Sequence, residues 1–396
     1  MIRPKFIVIG DIGGTNCRLE LLRCEHEALS SRGGVRPNSQ CTARYQTNSA
    51  ASVLELLQRF SFESDYKAAQ QNGDIVLCSL SVCGPVTDGI AILSAQTFGE
   101  GGWVVNSSEL STSLGYHVNL INDFHAVGIS LTLIPNESIV TLYNGDGRTP
   151  RPHDVRAWLG PGTGLGEGYA VWIPSNEKYE SGHVGDGDWA ICSSEGGMSD
   201  FVPRTEEEWS LRQYISCQGP TQTPFGFVDV EHVVSGTGVV NIYKWLRQTH
   251  TERVCDSLLD AQIMSSPSDA ARLICENASS AAAADGSDTP VACPVDPLCS
   301  RAMEMFLDAL GAEASNMALR YQALGGVYIA GGITCKIIEI IRSGRVTRAY
   351  LGKEHSLPVY RSCPLYVVNI PGDELGLTGA YLHALKCLRK IHHEQN

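Results

Sequence analysis

The sequence predicts an α/β protein of two domains, and three glycine-rich segments support this prediction. The first two, at residues 8–22 and 156–173, each read as a strand, a glycine turn and a second strand. Alternation of apolar with other residues around the glycines is typical of a hairpin. The third runs from a strand at 327–330 through a Gly-Gly pair into a helical pattern. Two similar hairpins and this later segment predict a duplicated fold with a nucleotide between its halves.

Length and composition indicate an ordinary enzyme rather than a nucleic-acid or membrane protein. The chain has 396 residues, enough for two or three domains with a sizeable core. Its 43 Asp and Glu residues outnumber 30 Lys and Arg residues, a net charge of −13, so nucleic acid is not an expected partner. No apolar run approaches the ~20 residues that cross a bilayer, so we expect no membrane partner and a cytoplasmic location. The 14 scattered cysteines show no zinc-type pair and are expected to be reduced thiols.

Between the glycine segments, strands and helices alternate. Strands are predicted at 75–82 and 117–121, and helices at 50–60, from a capping Thr205, and at 231–245, 301–321 and 375–391. Residues 279–297, rich in Ala, Ser, Asp and Pro, predict a mobile insertion. An alternative interpretation takes 276–284 as a helix end.

The residue types of the first turn suit a phosphate cradle. Glycines let the backbone approach a phosphate, Thr15 and Asn16 offer donors, and Asp11 can hold a water of hydrated Mg²⁺. The candidate residues for nucleotide phosphates are Gly10, Asp11, Ile12, Gly13, Gly14, Thr15 and Asn16, with Gly162, Thr163, Gly164, Gly331 and Gly332 from the later segments. The alternative is that each glycine pair only tightens a hairpin.

Seven motifs, in this order, resemble the bacterial-type glucokinase family of the hexokinase, actin and heat-shock ATPase clan: "GDIGGTN", "CGPVTDG", "LINDFHAV", "LGPGTGLG", "SSEGGMSDF", "EHVVSGTGVVNIY" and "GGVYIAGGI". The resemblance implies a two-domain actin-like ATPase (ribonuclease H-like) fold with mixed sheets and a central cleft. The small domain would be 1–121 plus 376–396, and the large domain 122–375. The implied reaction transfers the γ-phosphoryl group of ATP to the 6-hydroxyl of D-glucose, which gives ADP and glucose 6-phosphate for glycolysis.

The resemblance also implies roles for individual residues. Asp123 matches the family's catalytic base, and Asn122 beside it can bond sugar hydroxyls. Glu195 and Glu231 match glutamates that accept hydrogen bonds from the sugar, and Gly84 is a further candidate at the sugar. As alternatives, Asn-Asp after a strand is ordinary turn chemistry, and Glu231 is a solvated carboxylate in the first turn of a helix.

The chain departs from the family pattern near the sugar. Met198 stands where the family commonly has histidine, and the sugar loop ending at Trp103 is altered, so Ser94, Gln96 or Thr97 takes over part of its role. A kinase of another hexose, a non-catalytic sugar sensor and a sugar-independent ATPase of the clan therefore stay open. The turns do not distinguish ATP from ADP or polyphosphate. The family resemblance implies a homodimer.

Overall fold

The computed structural model describes residues 4–24, 36–93, 102–174, 187–218, 226–250, 256–278, 295–353 and 358–394. The chain divides into two compact units. Unit 1 comprises residues 1–135, 191–193 and 371–396, and unit 2 comprises 136–190 and 194–370. No helix of the described part combines the length and the apolar character that a bilayer span needs.

The strands are β1 Lys5–Ile12, β2 Asn16–Cys24, β3 Cys41–Gln46, β4 Asp74–Val82, β5 Val86–Thr87, β6 Ile90–Leu93, β7 Trp103–Asn106, β8 His117–Asn122, β9 Ile139–Tyr143, β10 Arg156–Pro161, β11 Leu165–Pro174, β12 Gly187–Ser194, β13 Val327–Ile329 and β14 Leu365–Val368. The α-helices are α1 Val53–Ser61, α2 Ser64–Asn72, α3 Ser107–Leu114, α4 Asp123–Leu131, α5 Glu206–Ser216, α6 Gly236–Thr249, α7 Ser257–Ser265, α8 Ala270–Asn277, α9 Pro297–Tyr321, α10 Ile338–Ile341, α11 Arg345–Tyr350, α12 Pro358–Arg361 and α13 Gly372–Glu394.

Unit 1 is built on a five-stranded sheet in the order β3-β2-β1-β4-β8. β1 pairs antiparallel with β2 and parallel with β4, which is parallel to β8. Alternate residues of β1 enter different cores, since Val8 packs with α1 while Ile7 and Ile9 pack with α13. A strand buried on both faces reads as the continuous apolar run seen in this sequence.

Helix α4 belongs to unit 1, whereas the sequence expectation placed residues from 122 onward in the larger domain. It packs against α13, and the contact is so close that a methyl group at Gly379 would clash with Ala126 O. This backbone approach holds α4 beside the C-terminal helix.

Unit 2 repeats the same strand arrangement within a six-stranded sheet, β12-β11-β10-β13-β14-β9. β10 pairs antiparallel with β11 and parallel with β13, which is parallel to β14. The hairpin followed by parallel strands therefore occurs twice in the chain, as the duplicated glycine segments predict. The long helix α9 supplies much of the core of this unit.

Three predicted elements differ from the structure. The helix expected at 231–245 begins at Gly236, because residues 230–232 form a separate 3₁₀ turn and Ser235 caps the helix. The helix expected after Gly332 is a four-residue 3₁₀ turn followed by the four residues of α10. Of the insertion expected at 279–297, residues 279–294 lie outside the described residues, and Pro297 is already the first residue of α9.

Candidate active site

The first predicted phosphate turn, residues 13–15, joins β1 and β2. The Gly13 N–H donates to Asn16 O at 2.9 Å, which closes the turn. Thr47 braces it from outside, because its hydroxyl donates to Gly13 O at 2.8 Å and its N–H donates to Thr15 O at 2.9 Å. The side chains of Thr15 and Asn16 are exposed. The turn therefore has a fixed backbone and accessible polar side chains.

Two residues predicted to contact phosphate, Gly10 and Ile12, contribute to the packing of the hydrophobic core. A methyl group at Gly10 would lie 2.7 Å from Leu19 Cδ2 and 2.8 Å from Leu80 Cδ2, so this glycine allows side chains to pack over β1. Ile12 is buried in the same core. Gly10 and Ile12 can therefore contact a phosphate only through backbone atoms. Gly14 lies in the turn itself.

Asp11 lies near the carboxyl end of β1, where its Oδ1 accepts a hydrogen bond from Ser81 Oγ at 2.9 Å. The pKa of Asp11 is raised to about 7, chiefly by burial and in addition by the negative charges of Asp123 and Asp373. The Ser81 hydrogen bond and the Arg18 charge oppose this rise. A partly buried carboxylate with two acidic neighbours favours a cation nearby, so Asp11 fits the Mg²⁺ prediction.

Asn122 is the last residue of the parallel strand β8 and Asp123 follows it, at the end of the strand where ligands bind in sheets of this kind. Asn122 caps α4, because its Oδ1 accepts from the His125 N–H at 3.0 Å. Its Nδ2 donates to Gly84 O and to Asp123 Oδ1, both at 3.0 Å. Asp123 Oδ1 also accepts from the Phe124 N–H at 2.9 Å. The structure thus brings Gly84, Asn122 and Asp123 together and fixes the carboxylate.

The second predicted phosphate turn, residues 162–164, joins β10 and β11. Gly162 N–H donates to Gly164 O at 2.8 Å. The first turn of α6 holds it, because the Gly236 N–H donates to Gly162 O at 2.8 Å and the Thr237 hydroxyl to Thr163 O at 3.1 Å. The Thr163 side chain is exposed. Like the first turn, this one is braced from a neighbouring element.

Glu231 lies directly against the second turn. Its Oε2 accepts a hydrogen bond from the Leu165 N–H at 3.2 Å. A methyl group at Gly164 would lie 2.6 Å from the same oxygen, so a larger residue there would displace the carboxylate from this position. Glu231 is therefore a held acceptor rather than a free side chain in the first turn of a helix.

Glu195 precedes the 3₁₀ turn Gly196–Met198, which packs on the start of β11. A methyl group at Gly197 would clash with Leu165 O, so the turn approaches the strand backbone closely. Glu195 is exposed, and so is Met198 with 60% of its surface accessible. The turns that carry Glu195 and Glu231 thus both contact the segment that follows the second phosphate turn.

Gly331 also lies beside this turn, since a methyl group on it would lie 3.1 Å from Pro161 O. Its φ of +104° is a conformation that favours glycine. The neighbouring Gly332 is exposed. The prediction that a helix N-terminus faces an anion here is wrong. The Thr334–Ile337 3₁₀ turn and α10 are too short for their peptide dipoles to add up to a helix dipole that would stabilise an anion.

Sequence reasoning missed the hydroxyl groups that brace the site. Thr47 and Ser81 are buried, and Thr237 holds the second turn. A serine at an inward position of an apolar strand could have pointed to the role of Ser81. Thr47 and Thr237 hold the turns only through tertiary contacts, which the sequence does not display. The candidates Ser94, Gln96 and Thr97 lie outside the described residues. Trp103, at the end of that loop, begins β7 and is buried.

A family model described as "Glucokinase" matches residues 8–387. The chain belongs to the glucokinase family. Among curated members of that family, the glucokinase of Synechocystis is 31% identical over 375 residues, which is 94% of this chain and 95% of the relative. The glucokinase of Trichormus variabilis is 29% identical over 96% of this chain and 99% of its own length. The expected membership in a family of sugar kinases is confirmed.

Solved structures of glucokinases share the fold. The Balamuthia mandrillaris glucokinase, determined in complex with glucose, has a TM-score of 0.68 at 21% identity and covers 97% of this chain and 94% of its own. The glucokinase of an Antarctic psychrotroph has a TM-score of 0.63 at 21% identity, over 96% and 99% of the two chains. The predicted actin-like ATPase fold with mixed sheets is confirmed.

Proposed function

We propose that this protein is a glucokinase that transfers the γ-phosphoryl group of ATP to the 6-hydroxyl of D-glucose, with Asp123 as general base. The observation that carries the proposal is the placement of Asp123. It is the first residue of α4, at the carboxyl end of a parallel strand, and the Asn122 amide and the Phe124 N–H fix its Oδ1. A carboxylate held in this way accepts the hydroxyl proton as the phosphoryl group moves.

In this proposal the sugar is held by acidic side chains that accept hydrogen bonds. Glu195 and Glu231 accept hydrogen bonds from ring hydroxyls, and charged acceptors reject analogues that lack those hydroxyls. The support for Glu231 is its hydrogen bond to Leu165, which fixes one carboxylate oxygen. Within unit 1, the proposal assigns sugar contacts to Asn122 and the Gly84 backbone, which a 3.0 Å hydrogen bond joins.

The two braced turns, residues 13–15 and 162–164, and the backbone at Gly331 and Gly332 bind the phosphates of ATP. Among the described residues no cluster of three metal-ligating side chains occurs, so Mg²⁺ would be held by phosphate and water with Asp11. Bound there, the ion neutralises negative charge on the phosphates. Asp11 itself would position a water molecule of the hydrated ion, which suits its partly buried and acidic surroundings.

A panel of hexoses, each offered with ATP, ADP or polyphosphate, tests this function by measuring the phosphorylated sugar. We expect glucose 6-phosphate from glucose and ATP. The Asp123→Ala variant should lose this product, while Asp65→Ala, at an exposed position of α2, should retain it as a matched control. A preferred hexose other than glucose would establish the alternative kinase, and glucose binding without turnover would establish the sensor.

From the family resemblance and the sequence we also propose that the protein is a homodimer, that it requires Mg²⁺ and that it is located in the cytoplasm. Light scattering measures the mass of the particle against the 42.8 kDa chain. Activity after chelation, with Mg²⁺ restored, tests the metal. Cell fractionation tests the location.

A further inference from the structure

Glu167 is a buried acid that the proposed reaction does not use. It lies on β11 opposite Leu159 of β10, and none of its surface is accessible. Neither of its carboxylate oxygens has a hydrogen-bond partner within the described ranges of the chain. Burial of an unpaired carboxylate is costly, so such a group is neutral or has a particular role.

The Glu167 carboxyl group lies against the turn that carries Glu195. A methyl group at Gly196 would clash with Glu167 Oε2, so the acid directly contacts the backbone of this turn. The Gly196 N–H already donates to Ser194 Oγ at 3.0 Å and does not satisfy the acid. The carboxyl group of Glu167 therefore lies against this turn without a hydrogen bond to the Gly196 N–H.

The charges around Glu167 favour its neutral form. The pKa of Glu167 is raised to about 8, chiefly by burial and in addition by the charge of the neighbouring Glu313 of α9, while the charge of Arg320 opposes this rise. Arg320 does not neutralise Glu167, because its Nη1 donates to Glu313 at 2.7 Å. The turn itself adds only one charged residue, Glu195. At neutral pH the group beneath Gly196 is thus mainly a carboxylic acid.

We propose that Glu167 is a positioning residue for the sugar-binding turn 195–198, holding it in place as an uncharged acid and releasing it on ionisation. An ionised carboxylate at this point recruits water or moves away from its apolar surroundings. The turn moves with it, and Glu195 loses its alignment with the sugar. The inference rests on the proposed function of Glu195 as a sugar acceptor, and it makes glucose affinity fall in alkaline solution.

The steady-state test compares wild type with Glu167→Gln, which keeps the shape but cannot ionise. In wild type we expect the KM for glucose to rise at least ~3-fold between pH 7 and pH 9. The kcat should change little, because the contact of Glu195 with the sugar is lost in the ground state and the transition state alike. The KM of Glu167→Gln should stay within ~2-fold over this range. Glu339→Gln, at an exposed position of α10, is the matched control and should follow wild type. An equal rise in wild type and Glu167→Gln would overturn the inference.

A second measurement is independent of activity and of the folding of any Glu167 variant. Met198 lies in the same turn and is exposed, so its ¹³C-labelled methyl group reports movement of the turn by NMR, with Met198→Leu used for assignment. We expect this signal in the wild-type protein to titrate with a midpoint near the pKa of about 8 of Glu167. An unchanged signal from pH 6 to pH 9.5 would refute the inference. If no hexose is phosphorylated at any pH but the signal titrates, the proposed function fails while the coupling of Glu167 to the turn stands.

Discussion

Replacement of Gly164 by alanine tests whether Glu231 is a sugar acceptor whose position is set by the second turn. The new methyl group would lie 2.6 Å from Glu231 Oε2. To reach an ordinary contact of about 3.5 Å, the carboxylate has to retreat by about 0.9 Å. This movement also lengthens its 3.2 Å hydrogen bond to the Leu165 N–H.

Loss of one hydrogen bond between a sugar hydroxyl and a charged acceptor costs about 1.5–3 kcal/mol. The KM for glucose in Gly164→Ala should therefore rise about 10- to 150-fold. If the contact exists in both ground and transition states, kcat should stay within ~3-fold of wild type. A coupled assay with glucose varied at saturating ATP measures both constants.

Gly162→Ala is the matched control in the same turn. The nearest atom to its methyl group is Gly164 O at 3.9 Å, an ordinary contact, so Glu231 is not disturbed. We expect the KM for glucose to stay within ~2-fold, whereas the KM for ATP rises if the turn contacts phosphate. A wild-type KM for glucose in Gly164→Ala, or an equal rise in both variants, would refute the reasoning.

Three further predictions follow from single contacts. Met198→His should change the KM for glucose more than kcat, and no change in either constant would place Met198 outside the sugar contacts. Asp11→Asn should be more stable than wild type without nucleotide, by an amount that grows as the pH rises from 3.8 to about 7, because over this range the carboxyl group of wild type ionises in the unfolded chain but stays protonated in the folded protein. Urea unfolding at pH 4, 6 and 8 measures this difference in stability, and a difference that does not depend on pH would contradict the prediction. Thr47→Val leaves Gly13 O without its 2.8 Å hydrogen bond, so we expect the free energy of unfolding to fall by about 1–2 kcal/mol and the KM for ATP to rise. An unchanged melting temperature would contradict the role of Thr47 in holding the turn.

Local patterns predicted the elements that carry the chemistry. The alternation around the glycines placed the hairpin turns correctly, and the Thr205 cap is present, with its hydroxyl accepting from the Glu208 N–H at 3.1 Å. Both signals depend on residues a few positions apart, so the sequence displays them directly. The duplicated order of strands followed from the repetition of the same pattern.

Long-range packing decided what the sequence did not show. Glu231 was expected in a helix, but residues 230–232 form a separate turn, and the carboxylate lies against Gly164 instead. Glu167 lies on the same side of β11 as Leu165, and only its buried contacts with Gly196 show that this position is not solvated. Neither contact joins residues that are near in sequence, so no periodicity reports it.

The turnover number of Asp123→Asn tests the central claim most directly. Asparagine can retain the oxygen that accepts from the Phe124 N–H at 2.9 Å, so the variant removes the basic carboxylate while the local fold is kept. With Asp123 as the base, kcat for glucose phosphorylation should fall by ~10²–10⁴, while calorimetry shows a glucose Kd within ~3-fold of wild type. A kcat within ~3-fold of the wild-type value would contradict the assignment of Asp123 as the base.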